Sequence, residues 1–195
     1  AAGLVILCCE DNGFTPAGLD PLLKRLAVPA IGGIFPLIMH HGRACRKGTL
    51  VLGFGGKVSK AEITALSSGT TDIEKPLNDL ADASAGARTM LVFVDFISLR
   101  KLAFINSLFD TFGLEINYIG GGAGSLSAEA RPCIISNAGL KSDSAVMMLI
   151  ESPSGVGIAH GWKNLGEPLQ ATGPQGNTIK TLDFRPAFEV YSEAL

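Results

Sequence analysis

Residues 28–35 read VPAIGGIF and residues 116–123 read INYIGGGA, so an Ile-Gly-Gly triplet returns after 88 positions. Two more pairs of segments match at the same offset without a gap: residues 4–6 with 92–94, and residues 43–45 with 131–133. Self-similarity at a fixed distance indicates one supersecondary unit used twice, and two copies are too few for a solenoid. The pattern therefore predicts a domain built from two units with a pseudo-twofold relation.

The first unit predicts a strand, a helix and two more strands. Residues 3–9 form a nearly continuous apolar run, which is typical of a strand covered on both faces. Thr15 is the predicted N-cap of a helix with Pro16 at its first position. Residues 28–31 and 49–54 are the next predicted strands. The helix carries leucines at helical spacing: Leu19, Leu22, Leu23 and Leu26.

The second unit repeats the order of strand, helix and strand. Residues 90–94 and 116–119 are the predicted strands, Ser98 is the predicted N-cap, and Gly113 ends the helix. The apolar stripe of this helix is predicted from residues at helical spacing: Leu102, Ile105, Leu108, Phe109 and Phe112.

Three further segments complete the prediction. Residues 131–136 and 144–150 predict a hairpin around the turn at 137–139. Residues 74–83 predict a helix that packs two leucines inward. From residue 156 onward turn-forming residues dominate, with short β-rich pieces at 156–159 and 178–182 and a closing helix at 185–195 entered through Pro186.

The predicted fold class is α/β, with duplicated βαβ-type units, a mainly parallel sheet and antiparallel hairpin strands. We expect a single domain over residues 1–195. Its first repeat unit covers about residues 1–73, its second about 86–155, and a β-rich closing segment covers 156–195. The last helix has no Gly or Asn cap, which leads us to expect that the sequence is a piece of a longer protein.

The composition favours a packed globular protein and disfavours nucleic acid or membrane as partners. Of the 195 residues, 47% are apolar and only 17% are charged, which favours a core over disorder. The formal net charge is −2 and Lys and Arg form no run longer than a pair, so the concentrated basic surface that nucleic acids or anionic lipids require is missing.

The sequence also favours a cytoplasmic, reduced environment. The longest apolar stretch, residues 28–39, is too short to span a bilayer and contains glycines and prolines. The chain does not open with a signal-peptide pattern. Cys8 and Cys9 are adjacent on a predicted strand and point to opposite faces, so we expect the four cysteines to be buried thiols.

The glycine-ended strands are the first candidate ligand site. Free N–H groups at such strand ends can hold a carboxylate or phosphate, and ligands usually bind at the carboxyl ends of parallel strands. The candidate ligand-binding residues are Gly32, Gly33, Gly120, Gly121 and Gly122. The alternative, which the sequence favours somewhat, is that Gly32 and Gly120 let the two units pack closely.

His160 and Trp162 are the second candidate ligand site. Residues i and i+2 of a strand share a face, so the indole could stack on a ligand while the imidazole donates or accepts a hydrogen bond. The alternative is structural: Trp162 closes the core and His160 satisfies a buried carbonyl. Asp11 and Asp95 each follow the first strand of a unit, so they could border a shared cleft.

Other chemistries fit the sequence less well. Residues 120–125 resemble a dinucleotide fingerprint, but a strand rather than a helix follows, and residues 53–57 lack the Ser or Thr of a phosphate loop. His40, His41 and Cys45 supply too few ligands for structural zinc. No Gly-x-Ser-x-Gly nucleophile motif occurs. We therefore expect no catalytic residue, metal or cofactor.

One set of residues, mostly near the C terminus, resembles the end of the FIST N-terminal domain: His160-Gly161-Trp162, Gly166-Glu167-Pro168, Thr172, Gly176-Asn177, Leu182-Asp183, Arg185-Pro186-Ala187 and Tyr191. The two Ile-Gly-Gly strands also match that family's pattern, so the resemblance covers essentially the whole chain. It implies a small-ligand sensor of an intracellular signal transduction protein, with amino acids as the proposed ligands. It also implies a C-terminal FIST half that is absent from this sequence.

The resulting hypothesis is a sensory domain that binds a small polar, amino-acid-like ligand and acts on a downstream signalling domain or protein. Two alternatives stay open. One is an enzyme, a hydrolase or transferase, that uses the same cleft with His160 as general base. The other is a protein-interaction scaffold with an exposed apolar surface.

Overall fold

The computed structural model describes residues 1–83, 86–159, 161–164, 166–175 and 178–194. The chain forms two compact units, Ala1–Val156 and Gly157–Leu195, which are described separately. The elements of the first unit are β1 (Gly3–Cys9), α1 (Pro16–Leu23), β2 (Ala30–Phe35), β3 (Ile38–His40), β4 (Arg43–Cys45), β5 (Thr49–Phe54), β6 (Val58–Thr64), α2 (Glu74–Asp82), β7 (Thr89–Asp95), α3 (Lys101–Phe112), β8 (Asn117–Ala123), β9 (Ile134–Ser136), β10 (Gly139–Lys141) and β11 (Ser144–Ile150).

The first unit contains two mixed sheets. One has the strand order β10-β9-β2-β1-β5 and the other has the order β6-β11-β7-β8. β1 and β2 pair in parallel around α1, and β7 and β8 pair in parallel around α3. The other ladders of both sheets are antiparallel. The predicted α/β class is confirmed, but the sheets are mixed rather than mainly parallel, because strands from other connections add antiparallel neighbours to each βαβ pair.

Buried side chains define the layers of this unit. Neighbouring residues of β7 point to opposite faces. Leu91 and Phe93 therefore pack with the first sheet, where Phe93 meets Phe35 edge-to-face with ring centroids 5.8 Å apart. Met90 and Val94 pack instead with α2 and α3. α1 packs on the first sheet, so the layers run helix, sheet, sheet, helices.

Several local predictions for the helices are confirmed. The hydroxyl of Thr15 accepts a hydrogen bond from the N–H of Gly18 at 3.4 Å and caps α1. Gly113 ends α3 with a φ of +68°, a conformation that favours glycine. α2 buries Leu77 and Leu80 completely or nearly so.

The predicted buried face of α3 is wrong in part. Leu108 is buried as predicted, but the other buried residue of this helix is Phe104, whereas Leu102 is 70% exposed. α3 carries apolar residues on most of its circumference, so helical spacing alone did not identify the face that meets β7. Ser98 is not the cap either, because its hydroxyl donates a hydrogen bond to Asp143 at 2.8 Å.

The predicted hairpin also has a different partner. β9 pairs with β10 around residues 137–138, whereas β11 lies in the other sheet between β6 and β7. All seven residues of β11 are buried, as expected for a central strand covered on both faces. The Asn137 side chain fixes the β9–β10 turn by accepting from the N–H of Ala30 at 2.8 Å and donating to the carbonyl of Val28 at 2.9 Å.

The two parallel pairs place their glycines in the same local setting. Gly32 of β2 pairs with Ile6 of β1, and a Cβ on Gly32 would lie 1.8 Å from the Ile6 carbonyl oxygen. Gly120 of β8 pairs with Val92 of β7, and a Cβ there would lie 1.7 Å from the Val92 oxygen. Each glycine is therefore required by a close approach between two parallel backbones.

The predicted equivalence of residues 4–6 in β1 and 92–94 in β7, which assumed a constant offset of 88 positions, is wrong. Gly32 follows its partner Ile6 by 26 positions, whereas Gly120 follows its partner Val92 by 28. The second connection is therefore two residues longer, and the segments 4–6 and 92–94 do not occupy equivalent positions. The duplication as a whole stays a prediction.

The second unit contains two short hairpins and a helix. β12 (Pro174–Gln175) pairs with β13 (Thr178–Ile179), and β14 (Thr181–Leu182) pairs with β15 (Arg185–Pro186). α4 (Ala187–Glu193) is the predicted closing helix and follows Pro186. The β-rich piece predicted at 156–159 is not a strand in the structure.

We expect Gly32→Ala and Gly120→Ala to destabilise the protein strongly, whereas Gly121→Ala does not. The first two substitutions place a methyl group against a backbone oxygen that cannot move without breaking the sheet, which should cost at least about 1–3 kcal/mol. Gly121 has no atom within 4 Å of an added Cβ, so it is the matched control. Urea denaturation followed by circular dichroism measures both effects, and equal stabilities of the three variants would contradict the expectation.

Candidate functional site

A cavity of about 320 Å³ lies where the carboxyl ends of β1, β2, β7 and β8 meet. Ligands of open α/β sheets usually bind at this end of the strands. Residues at or just after the ends of the four strands line it, together with the segment that leads into β9: Glu10, Gly13, Phe14, Thr15, Pro16, Ile34, Asp95, Phe96, Ile97, Gly124, Ser125, Glu129, Arg131, Pro132 and Cys133. Both parallel pairs therefore contribute to one cavity.

Asp95, the last residue of β7, is the buried charged group of the cavity wall. The residue is only 2% exposed. One carboxylate oxygen accepts the N–H of Asp143 at 2.6 Å, and the other accepts the N–H of Ile97 at 3.1 Å. Within the described part of the chain, no ion pair involves Asp95.

Cys133 lies beside Asp95 in the same wall and is a protonated thiol. Its Sγ donates a hydrogen bond to the carbonyl of Ala123 at 3.6 Å, and the residue is 3% exposed. Burial, the largest cause, acts together with the negative charge of Asp95 and a hydrogen bond to Asp95 to raise the pKa of the Cys133 thiol to about 12. A thiol with this pKa is not a thiolate nucleophile at neutral pH.

Arg131 is the basic side chain of the cavity lining, and it is already paired. One guanidinium nitrogen lies 3.4 Å from a carboxylate oxygen of Glu10, and another contacts Glu129. The Arg131 side chain is 58% exposed, so it lies toward the mouth of the cavity rather than at its base. The pair with Glu10 connects the end of β1 to the segment before β9.

A second carboxylate, Asp143, holds the loop that carries Asp95. Its oxygens accept from the Ser67 hydroxyl at 2.6 Å, the Ser67 N–H at 3.0 Å and the Ser98 hydroxyl at 2.8 Å. Burial of Asp143 opposes its ionisation, but these hydrogen bonds outweigh that effect and lower its pKa. Arg100 adds hydrogen bonds to the carbonyls of Ser68 and Thr71. The loop after β7 is therefore tied to the loop after β6.

The glycines predicted to bind ligand do not line this cavity. Gly32 and Gly33 lie within β2, where the next residue, Ile34, reaches the cavity instead. Gly120, Gly121 and Gly122 lie on the exposed part of β8, at the edge of its sheet. These three line two other grooves, one of about 370 Å³ with α3 and one of about 490 Å³ with β1 and β5.

The second candidate ligand site, His160 and Trp162, cannot be placed against the cavity. His160 lies outside the described residues. Trp162 belongs to the second unit, Gly157–Leu195, and is 83% exposed. Its role in ligand binding stays a prediction.

Asp95 borders a cleft as the sequence allowed, but Asp11 does not. Asp11 is exposed, and its neighbour Glu10 lines the cavity in its place. Arg131, Glu129 and Cys133 were not predicted as site residues. The signal that the sequence offered for them was their place at or just before the predicted strand at 131–136 in the second sequence repeat.

Two further observations concern metals and membranes. Among the residues that the structure describes, no group of three or more His, Cys, Asp or Glu side chains could hold a metal ion. His40 and His41 lie next to each other on the exposed β3–β4 hairpin, with ring centroids 4.2 Å apart. No described helix is long and apolar enough to cross a membrane.

The family model of the FIST N domain matches residues 3–185 of this chain. That range includes both parallel strand pairs and every residue of the cavity. The chain belongs to the FIST N domain family. FIST domains are regarded as sensory and signalling domains, and the predicted resemblance is confirmed over most of the chain. No curated protein matches this FIST N domain.

We expect Asp143→Asn to lower the free energy of unfolding at pH 7 by about 1–2 kcal/mol, because it removes charge-assisted hydrogen bonds. The folded pKa of Asp143 is lowered, so its stabilisation is fully present above the unfolded value of about 3.9 and is lost as the pH falls through the lower folded value. The difference from wild type should therefore shrink below about pH 4.

Chemical denaturation at pH 7, 5 and 3 measures this difference. Asp110→Asn, on the exposed surface of α3, is the matched control and should change stability by less than about 0.5 kcal/mol. An Asp143→Asn effect that is the same at pH 7 and pH 3 would show that the charge of Asp143 is not what stabilises the loop.

Proposed function

We propose that this FIST N domain is a ligand-binding sensory module, and that a small polar metabolite binds in the cavity at the carboxyl ends of β1, β2, β7 and β8. The observation that carries the proposal is the cavity itself. Its volume of about 320 Å³ lies at the lower end of the range of small-molecule sites. Its apolar walls and few convergent polar groups are also typical of such sites.

The chemistry of the lining supports a polar, amino-acid-like ligand. Arg131 at the mouth could bind a ligand carboxylate in exchange for its contacts with Glu10 and Glu129, and Asp95 could accept hydrogen bonds from an amine. Phe14 and Ile97 offer apolar contact to the rest of such a ligand. In this proposal Gly32 and Gly120 serve the packing of parallel strands rather than ligand contact.

The proposal includes the duplication of the two βαβ units. Gly32 and Gly120 have matching surroundings. Each βαβ repeat contributes the carboxyl ends of one parallel strand pair to the cavity. A ligand between the two pairs would contact residues of both. Such a ligand can transmit a signal only through its different affinities for two arrangements of these elements, which a downstream signalling domain or protein would then detect.

A non-enzymatic role is part of the proposal. Hydrolase or transferase chemistry needs an activated nucleophile, and the raised pKa of the Cys133 thiol argues against that residue in such a role. Asp95 is engaged by two backbone N–H groups, which favours a binding role over proton transfer.

Isothermal calorimetry with a panel of the twenty common amino acids and their amines tests the proposal. We expect at least one member to bind the wild-type chain, and Arg131→Ala to weaken binding of a carboxylate-bearing member by about tenfold or more. Arg43→Ala is the matched control, because Arg43 matches Arg131 in the sequence at an offset of 88 positions but does not line the cavity.

Absence of binding by every member would contradict the sensory proposal. Binding that Arg131→Ala and Arg43→Ala leave equally unchanged would contradict the proposed location at the cavity mouth.

A further inference from the structure

We propose that the cavity selects a small organic cation, and that Asp95 is the residue that binds the ammonium group. The ligand class is an alkylammonium: a protonated amine that carries a short apolar tail. This inference rests on the proposed function, because it specifies the ligand of the same cavity.

The first argument is the state of Asp95 itself. A carboxylate that is 98% buried normally needs a cation, because moving an unpaired charge out of water is costly. The N–H groups of Ile97 and Asp143 and the hydrogen bond with Cys133 occupy only part of the acceptor capacity of the two oxygens. No described Lys, Arg or His forms an ion pair with Asp95, so a ligand ammonium would supply the missing positive charge.

The second argument is the charge of the whole lining. Three of its four charged side chains are acidic, namely Glu10, Asp95 and Glu129, and Arg131 is the fourth. Arg131 already contacts both Glu10 and Glu129. The cavity therefore presents an excess of negative charge, which attracts cations and repels anions.

The neighbouring lysine does not change this balance. Lys101 lies with its Nζ 5.6 Å from the centre of the Phe96 ring, and it donates a hydrogen bond to the carbonyl of Ser98 at 2.6 Å. It lines the groove between α3 and β8 rather than the cavity. Asp95 at the end of β7 and Lys101 at the start of α3 therefore line different surfaces.

The third argument is the apolar part of the lining. Phe14 and Phe96 are 39% and 57% exposed, and their rings border the cavity. Aromatic faces attract ammonium groups and also pack against methylene groups. Ile34 and Pro132 add aliphatic contact, and the neutral Cys133 thiol adds no competing charge. An apolar tail would therefore fit beside the charged end of the ligand.

An anionic ligand would meet two obstacles in this cavity. It would approach the buried carboxylate of Asp95, and it would have to displace two carboxylates from Arg131. A zwitterion remains compatible, because its carboxylate could lie at the mouth near Arg131 while its ammonium lies at Asp95. The inference therefore concerns the group at Asp95.

Three probes of similar size and different charge test the inference on the wild-type chain at pH 7. They are 3-methylbutylammonium, 3-methylbutan-1-ol and 4-methylpentanoate, and ligand-observed NMR gives the three dissociation constants. We expect the ammonium to bind at least about tenfold more tightly than the alcohol, as one charge-assisted hydrogen-bonded pair allows. We expect 4-methylpentanoate to bind more weakly than either.

Two variants test whether Asp95 causes the preference for the ammonium over the alcohol. Asp95→Asn should bring the affinity for the ammonium to within about threefold of that for the alcohol, because it removes the charge and keeps the size. Asp11→Asn is the matched control, since Asp11 is an exposed carboxylate that does not line the cavity, and the variant should leave the preference in place. If Asp95→Asn does not fold, the probe series on the wild-type chain decides the inference alone.

The failures of the two proposals can be told apart. Binding of 4-methylpentanoate as tight as that of the ammonium, or an unchanged preference in a folded Asp95→Asn variant, would overturn the cation inference and leave the sensory proposal standing. If an amino acid binds but none of the three probes does, the cation inference is likewise overturned and the sensory proposal stands. If no probe and no amino acid binds, both proposals fall.

Discussion

The site depends on one buried interaction, the carboxylate of Asp95 at the end of β7. Its oxygens accept the N–H groups of Ile97 and Asp143, which joins the loop after β7 to the turn before β11. Asp143 in turn accepts from Ser67 and Ser98, so a third loop is fixed to the same point. The loop after β7 forms one wall of the cavity and the other two loops hold it in place, so the shape of that wall follows from a single network of hydrogen bonds.

The strand topology explains why a cavity forms at that place. Two parallel pairs, β1–β2 and β7–β8, belong to facing sheets, and their carboxyl ends open on the same cavity. Gly32 and Gly120 allow each pair to approach so closely that a methyl group would meet a carbonyl oxygen. The packing constraint and the candidate site thus lie in the same strands but at different residues, and the FIST N domain match covers both.

Local signals in the sequence predicted many elements, because caps and apolar runs act over few residues. Thr15 caps its helix as predicted, and residues 144–150 are a buried strand. Contacts between distant parts of the chain could not be predicted from local sequence patterns. The partner of β11 depends on two sheets, and the buried face of α3 is ambiguous in a helix with apolar residues on most sides. The site combines Glu10 with Arg131, which are 121 positions apart, so no local motif could reveal it.

Mapping the bound probe on the protein tests the central claim most directly. A 15N-labelled chain titrated with 3-methylbutylammonium would be followed by the shifts of its backbone amide signals. The account predicts saturable shifts concentrated at 96–97, 124–125 and Cys133, around the carboxylate of Asp95. Shifts concentrated at 120–122, or in the unit Gly157–Leu195, with the cavity residues unchanged, would contradict it.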